Sequence, residues 1–335
     1  MLLVDSLYIN VGGGKVLLDY LVKEIEARQI DVFYLFDLRC RNDFKQVPND
    51  RKVYLKAGLL NRYKFYKGNK ENFTKIFCFG NIPPPIKLKE KYVLTFFQNT
   101  LMVNPPHDYS LNKKIKVGLQ KKYLQIFKRY TNSWLVQTDF VKNELTKHLE
   151  VDSENCFVYP FFELSNSISS STKIKNTYAY VGSGAEHKNI KRLLGAWEII
   201  FNEGFTPSLH LTIPFTNVDL IDLIRNLKEK GLQIENHGNI SINEVYKLYS
   251  ICEYLVFPSL TESFGLPLLE AVTAGCKVIA SDLDYTHNVI KPSLVFNPMN
   301  IDSIADAIIF SLKNELMPSE TKVKNEIDQI LKILS

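Results

Sequence analysis

No apolar run in this chain of 335 residues approaches the ~20 that a membrane-crossing helix needs. The opening Met1-Leu2-Leu3-Val4-Asp5 puts an acid where a secretion signal keeps its apolar core. Those two absences predict a cytoplasmic protein, at most peripheral at the inner face of the plasma membrane. Cysteine is scarce: Cys40, Cys78, Cys156, Cys252 and Cys276 lie far apart, and no pair has metal-ligand spacing. Buried free thiols are therefore expected, rather than a disulfide framework or a zinc site. Neither a solenoid-period repeat nor a low-complexity tract is present. With 45% hydrophobic and 23% charged residues, the composition excludes a disordered chain and a fibrous one. The net charge of +5 is mild, and nothing in the sequence reads as a nucleic-acid recognition motif.

What is present is enough length for two cores. The chain exceeds one ordinary core, so two domains of roughly 150 residues each are expected. Short apolar strands alternate with helix-period segments, the signature of parallel βαβ units. In the first half, strands are expected at Leu2 to Tyr8, Asp31 to Leu38, Lys75 to Phe79, Tyr92 to Phe97 and Ser133 to Gln137. Gly12-Gly13-Gly14 reads as a tight turn ahead of a helix from Val16 to Arg28, and Pro83-Pro84-Pro85 forces a loop. The pattern dissolves at Ser165-Asn166-Ser167-Ile168-Ser169-Ser170-Ser171, the best linker in the chain. Alternation resumes at Tyr178, and a helix from Ser319 to Leu334 closes the sequence. The expected fold is α/β, two doubly wound Rossmann-like domains facing across a cleft. They span 1–163 and 176–316, with a linker over 164–175 and a closing helix in 317–335 that can return to the N-terminal domain. Ligands in such sheets bind at the carboxyl ends of the strands.

The most specific segment is Pro258-Ser259-Leu260-Thr261-Glu262-Ser263-Phe264-Gly265-Leu266-Pro267-Leu268-Leu269-Glu270. A strand ends, Gly265 lets backbone approach a ligand, and Pro267 starts a helix where its missing N–H costs nothing. The N–H groups of Phe264, Gly265 and Leu266 at that helix start suit an anion or a hydroxyl. Glu262 and Glu270 bracket the start, and each carboxylate can accept two hydroxyl hydrogens. That combination fits a polyhydroxylated, diphosphorylated ligand; the plainer alternatives are a dipole partner for Glu262 and a solvated helix charge for Glu270. Earlier, Val181-Gly182-Ser183-Gly184-Ala185-Glu186-His187-Lys188 sets a glycine-rich turn and a cation before a helix. Such a turn cradles phosphate and supplies charge to a leaving diphosphate. Arg192, one turn on, can assist Lys188 or simply pair with Glu198 or Glu186.

The run from Glu262 to Glu270 resembles the E-x7-E motif of a large family of retaining GT-B glycosyltransferases, family 4-like and group 1. That family includes many bacterial lipopolysaccharide, capsule and mannosyl transferases. The likeness runs on through Ala271 to Ser281, includes His237-Gly238-Asn239-Ile240, and covers most of 178–310. It implies a retaining transfer of a sugar from a UDP- or GDP-linked donor to a hydroxyl of a glycan or lipid-linked oligosaccharide, in surface polysaccharide synthesis such as O-antigen, capsule or lipopolysaccharide. The first domain would bind the acceptor and the second the donor, with no cofactor and no metal. Lys188 and Glu262 would be catalytic. Donor contacts would come from Gly13, Gly14, Ser183, Lys188, Arg192, Phe264, Gly265 and Leu266, from Glu270 at the ribose, and from Asn239 and Ile240 at the base. Gln98 and Asn99 would lie at the acceptor.

The family commonly carries an arginine where Ser183 stands and a histidine near Gln98. Those departures leave open a degenerate transferase-like subunit that scaffolds a partner. Gly12-x-Gly14 with Asp37 also superficially suggests a dinucleotide oxidoreductase, although Leu17 occupies the third glycine position. Asp282-Leu283-Asp284 reads as a loop, not a metal site. Lys113, Lys114, Lys116, Lys121, Lys122, Lys128 and Arg129 interleave with Ile115, Val117, Leu119, Leu124, Ile126 and Phe127. Over 113–129 this is a basic amphipathic helix that rests on an anionic membrane or faces a phosphorylated acceptor, or else a solvated lysine face on a core-packed helix.

Overall fold

The computed structural model describes residues 1–105, 111–164 and 172–335. It divides into one compact unit of Met1–Glu163 with Lys324–Ser335, and another of Leu164–Val323. The serine-rich run 165–171 lies outside the described residues. Residues of the expected linker that follow it are held in place: Lys173 Nζ donates to the carbonyls of Tyr249 at 2.6 Å and Ala274 at 2.7 Å. A cation on helix C-terminal carbonyls is favoured by their orphan acceptors and by the macrodipole. Ile174 then already belongs to a strand, earlier than the sequence suggests.

In the first unit the order is β1 (Leu2–Asp5), α1 (Gly12–Ala27), β2 (Val32–Asp37), β3 (Lys52–Leu55), α2 (Leu59–Asn69), β4 (Lys75–Cys78), β5 (Tyr92–Phe96), α3 (Leu111–Phe127), β6 (Ser133–Val136), α4 (Asp139–Leu149) and β7 (Cys156–Val158). All pair in parallel in the order β3-β2-β1-β4-β5-β6-β7. β1, β4, β5 and β6 are almost wholly buried, which explains their continuous apolar composition in a sheet covered on both faces. The glycine run is corrected here: Gly12 alone takes the turn, with φ +70°, and α1 runs through Gly13 and Gly14. β3, α2 and β7 escape the sequence reading because they are short or weakly periodic. α2 nonetheless carries Arg62, fully buried, whose Nε donates to Asp5 Oδ2 at 2.8 Å and whose Nη1 donates to Pro83 O at 2.7 Å. That ion pair anchors the proline loop to the end of β1.

The second unit runs β8 (Ile174–Tyr180), α5 (Ile190–Asn202), β9 (Ser208–Leu211), α6 (Val218–Glu229), β10 (Ile234–Asn236), α7 (Ile242–Ile251), β11 (Cys252–Phe257), α8 (Leu266–Thr273), β12 (Lys277–Ser281), α9 (Asp284–Val289), β13 (Ile290–Lys291), β14 (Leu294–Phe296), α10 (Ile301–Lys313) and β15 (Glu320–Thr321). Its parallel sheet has the order β10-β9-β8-β11-β12-β14, and β13 pairs antiparallel with β15. Asp284 opens α9 rather than lying in a loop, and Asp282 pairs with His287 at 2.7 Å. The expected helix from Ser319 begins only at α11 (Ile327–Leu334), because Glu320 and Thr321 are spent on the ribbon. α11 packs in the first unit: Glu326 N–H donates to Pro160 O at 2.6 Å, and Asn325 Nδ2 to Tyr20 Oη at 2.8 Å. All five cysteines are buried free thiols. Among the described residues no helix is long and apolar enough to cross a membrane.

Candidate functional site

The second sheet reverses its winding between β8 and β11, so the loops leaving those strands part and open space above their carboxyl ends. After β8 the chain passes Gly182, Ser183 and Gly184, makes one tight turn over Glu186–Lys188, and enters α5 through Asn189 at φ 59°. Lys188 Nζ meets Glu262 Oε1, from the loop after β11, at 2.6 Å. The pair therefore bridges the two loops at the reversal point. Both side chains are mostly shielded from water, at 16% and 13% exposed, and the ammonium lies 5.4 Å from the Phe257 ring centre.

Asn189, which sequence reasoning passed over, holds these loops together. Buried, it donates through Nδ2 to Pro258 O at 3.1 Å and to Pro298 O at 2.7 Å. Its Oδ1 accepts from Arg192 Nη1 at 2.8 Å, and the nearby His187 carbonyl accepts from Leu260 N–H at 2.7 Å. Asparagine tolerates the left-handed backbone that the sharp entry into α5 requires, which is the signal the sequence did offer. Glu198, one of the partners considered for Arg192, instead takes Lys230 at 2.5 Å. The structure thus places Arg192 as the support of Asn189, one step behind Lys188.

Gly265 adopts φ +77° at the start of α8, a conformation a side chain would strain, and Pro267 follows in the first turn. At this helix start Pro267 has no N–H and Leu268 N–H donates to Gly265 O at 2.9 Å, so of the first turn it is the Leu266 amide, four residues after Glu262, that has no acceptor a turn earlier within the helix. Glu270, one turn further, is 7% exposed and accepts from Tyr249 Oη at a long 3.4 Å. Burial pushes its carboxyl up to about 7, and the single tyrosine hydrogen bond offsets only part of that. The two glutamates consequently differ: one is paired with a lysine and the other is a buried, protonatable acid. Sequence reasoning found both residues but could not foresee this division, because it depends on Tyr249 and the packing of α7 against α8.

At the far edge of the sheet, Gly238 follows β10 with Phe215 packed against it, and a side chain at 238 would strike that ring. Asn239 is exposed and Ile240 half-buried in the same turn. Phe215, 64% exposed, was not singled out by the sequence. Ser183 opens onto a hollow of about 450 Å³ lined also by Pro214, Thr216, Asn217 and Asp219.

Within the first unit, a side chain at Gly14 would stand 3.3 Å from Gln98 Oε1. Gln98 is fixed by Asn81 Oδ1, which accepts its N–H at 2.7 Å, and by donation to Phe79 O at 3.3 Å. The glycines at the start of α1 and Gln98 are therefore brought together, whereas the backbone carbonyl of Asn99 accepts from Met102 N–H at 3.1 Å. Asp37 is clamped by Arg39 through two 2.8 Å bonds and accepts from Tyr8 N–H at 3.2 Å, an arrangement that opposes the oxidoreductase reading.

Residues 165–329 match the family model described as glycosyl transferases group 1. The O-antigen chain mannosyltransferase RfbU of Salmonella typhimurium is 31% identical over 184 residues, covering 50% of this chain and 50% of that protein. The O-antigen chain mannosyltransferase B of Escherichia coli is 29% identical over 140 residues, covering 41% and 36% respectively. These alignments thus take in half or less of either relative. Among solved structures, sucrose-phosphate synthase of Thermosynechococcus elongatus superposes with a TM-score of 0.71 at 16% identity, over 93% of this chain and 90% of that one. The fold is the GT-B fold, and through residues 165–329 the chain belongs to the group 1 glycosyl transferases.

Proposed function

We propose that this protein is a retaining glycosyltransferase that moves a sugar from a nucleoside-diphosphate sugar to a hydroxyl of a glycan or lipid-linked acceptor in bacterial surface polysaccharide synthesis. The observation that carries the reading is the Lys188–Glu262 pair at the sheet's reversal point, bonded at 2.6 Å beside the start of α8. A diphosphate offers the ammonium a more highly charged partner than one carboxylate, and charge-assisted bonds to it contribute about 1.5–3 kcal/mol each. Displaced from Lys188, Glu262 becomes an acceptor for hydroxyls of the transferred sugar. Glu270 takes the ribose, and the turn at Asn239 and Ile240, with Phe215 beside it, takes the base. Among the described residues no carboxylate is placed as a covalent nucleophile, so the acceptor hydroxyl attacks on the face the diphosphate leaves. The departing phosphate accepts its proton, and Lys188 and the helix starts hold the developing charge without a metal. The mannosyltransferase names of the relatives make mannose the first sugar to test.

The test is a thermal-shift panel of UDP, GDP, ADP and their sugar conjugates in metal-free buffer. A ligand at a hundred times its Kd stabilises by about 2.7 kcal/mol, so one nucleotide series should stand out. If none does, the protein is the scaffold subunit that the missing arginine and histidine allow.

The acceptor side has its own support. In α3 the residues Leu111, Ile115, Leu119 and Ile126 are exposed, at 74, 54, 66 and 46%. At the helical period they fall within an arc of about 80°, and Leu124 is the buried residue of the helix. A core-packed helix with a merely solvated lysine face does not present such a stripe, so we favour an anionic membrane as its partner. Near a charged surface each lysine contributes about 1 kcal/mol. Replacing Lys114 and Lys122 with glutamine should therefore weaken binding to phosphatidylglycerol vesicles by ~30-fold in sedimentation assays. Unchanged binding would remove the membrane from the proposal.

A further inference from the structure

No role in sugar transfer is assigned to the side chains of His210, Glu235 and His237, although His237 opens the His237-Gly238-Asn239-Ile240 run that carries part of the family likeness. His210 is on β9 directly opposite Glu235 on β10, and His237 follows Glu235 by two residues, still tied to β9 by its N–H to Leu211 O at 2.8 Å. Parallel pairing and the two-residue pleat put all three side chains on one face of the sheet edge. The alternating residues Leu209, Leu211 and Ile234 belong to the apolar core. His210 Nδ1 is 3.2 Å from His237 Nε2 and 3.5 Å from Glu235 Oε2, and one ligand atom from each residue lies within 4.8 Å of the others.

We propose that these three side chains form a binding site for a zinc-like divalent transition metal. Nitrogen and oxygen ligands held 2.0–2.2 Å from a tetrahedral zinc stand about 3.3–3.5 Å apart, the spacing His210 makes with its two neighbours. Two imidazoles and one carboxylate select zinc, copper or nickel over magnesium or calcium. Ser208 Oγ, 3.4 Å from His210 Nε2, is placed to orient the ring from its far side, as outer partners of metal-bound histidines do. Three protein ligands leave a position for water. The ion ties the edge strand β10 to β9 and fixes His237, and with it the turn that carries Asn239. The proposal does not rest on the glycosyl-transfer reading, since metal uptake is measured without donor or acceptor.

Tag-free full-length protein, stripped with chelator and dialysed, is titrated with zinc chloride by calorimetry. One equivalent should bind, and His237→Asn and Glu235→Gln should each weaken it at least about tenfold while leaving the circular-dichroism spectrum and metal-free melting midpoint unchanged. Because Glu235 is exposed, its variant keeps the test informative even if the histidine variant folds poorly. Absence of stoichiometric uptake by the wild type overturns the site and leaves an ordinary hydrogen bond between two imidazoles. So does unchanged affinity in both variants.

Discussion

Lys188→Ala should lower the transfer rate by about 10²–10³-fold with saturating donor, the cost typical of losing one preorganised group that stabilises charge in the transition state. The geometry makes the variant more complex than a simple deletion. Lys188 and Glu262 are shielded from water and bonded at 2.6 Å, so removing the cation leaves a carboxylate without its partner. Part of any loss could then come from disorder in the loop after β11. The double variant Lys188→Ala with Glu262→Gln separates the two effects. It should restore the melting midpoint towards that of the wild type and leave the rate low. Glu262→Gln alone should cost less in rate than Lys188→Ala, because a glutamine still accepts sugar hydroxyls while Lys188 still meets the diphosphate. The measurement is steady-state release of the nucleoside diphosphate, with kcat and KM determined separately. A Lys188→Ala enzyme that keeps more than a tenth of the wild-type kcat removes Lys188 from the reaction.

The elements that the sequence made legible are those whose pattern is enforced by burial. β11, β12 and the Tyr178–Tyr180 end of β8 are short buried runs because the sheet is covered on both faces there, β9 alternates because only its Leu209 and Leu211 face the core, and α5 and α10 show helical periods because one face of each packs on that sheet. The residues at the reversal point were legible for a different reason: glycine, proline and charge had to appear together where a strand gives way to a helix. What could not be read is what depends on contacts distant in sequence. Asn189 bonds to Pro258 and Pro298, 69 and 109 residues away. Arg62 joins Asp5 across 57 residues from a helix with little amphipathic pattern. The same limit applies to His210 and His237, whose meeting follows from the register of β9 with β10 and not from any spacing in the chain.

The buried acid at Glu270 gives the second large effect. Its carboxyl is pushed from its ordinary value of 4.5 up to about 7 by burial, so the native state binds a proton there that the unfolded chain has already released. Stability falls with rising pH wherever the native state holds the extra proton. Glu270 therefore contributes stability that is fully present below pH 4.5, declines through the window to about 7, and is absent above it. The change amounts to about 3 kcal/mol across that window. Other groups titrate there too, so the quantity to measure is the difference between wild type and Glu270→Gln in urea unfolding at pH 5 and pH 8. Glutamine keeps the shape without the ionisation, and the variant should gain on the wild type by about that amount as the pH is raised. Nucleotide binding opposes the same trend. Ribose hydroxyls donate to a carboxylate, so a bound nucleotide favours the ionised form and lowers the pKa. Near pH 7, where the free carboxyl is about half protonated, binding should release up to about half a proton, visible as a difference in calorimetric heat between buffers of unlike ionisation enthalpy, and affinity should rise with pH until the free site is ionised. A nucleotide that binds with no proton release and no pH dependence does not touch Glu270. The acid is then a core residue, and the donor's ribose must be held elsewhere on the sheet.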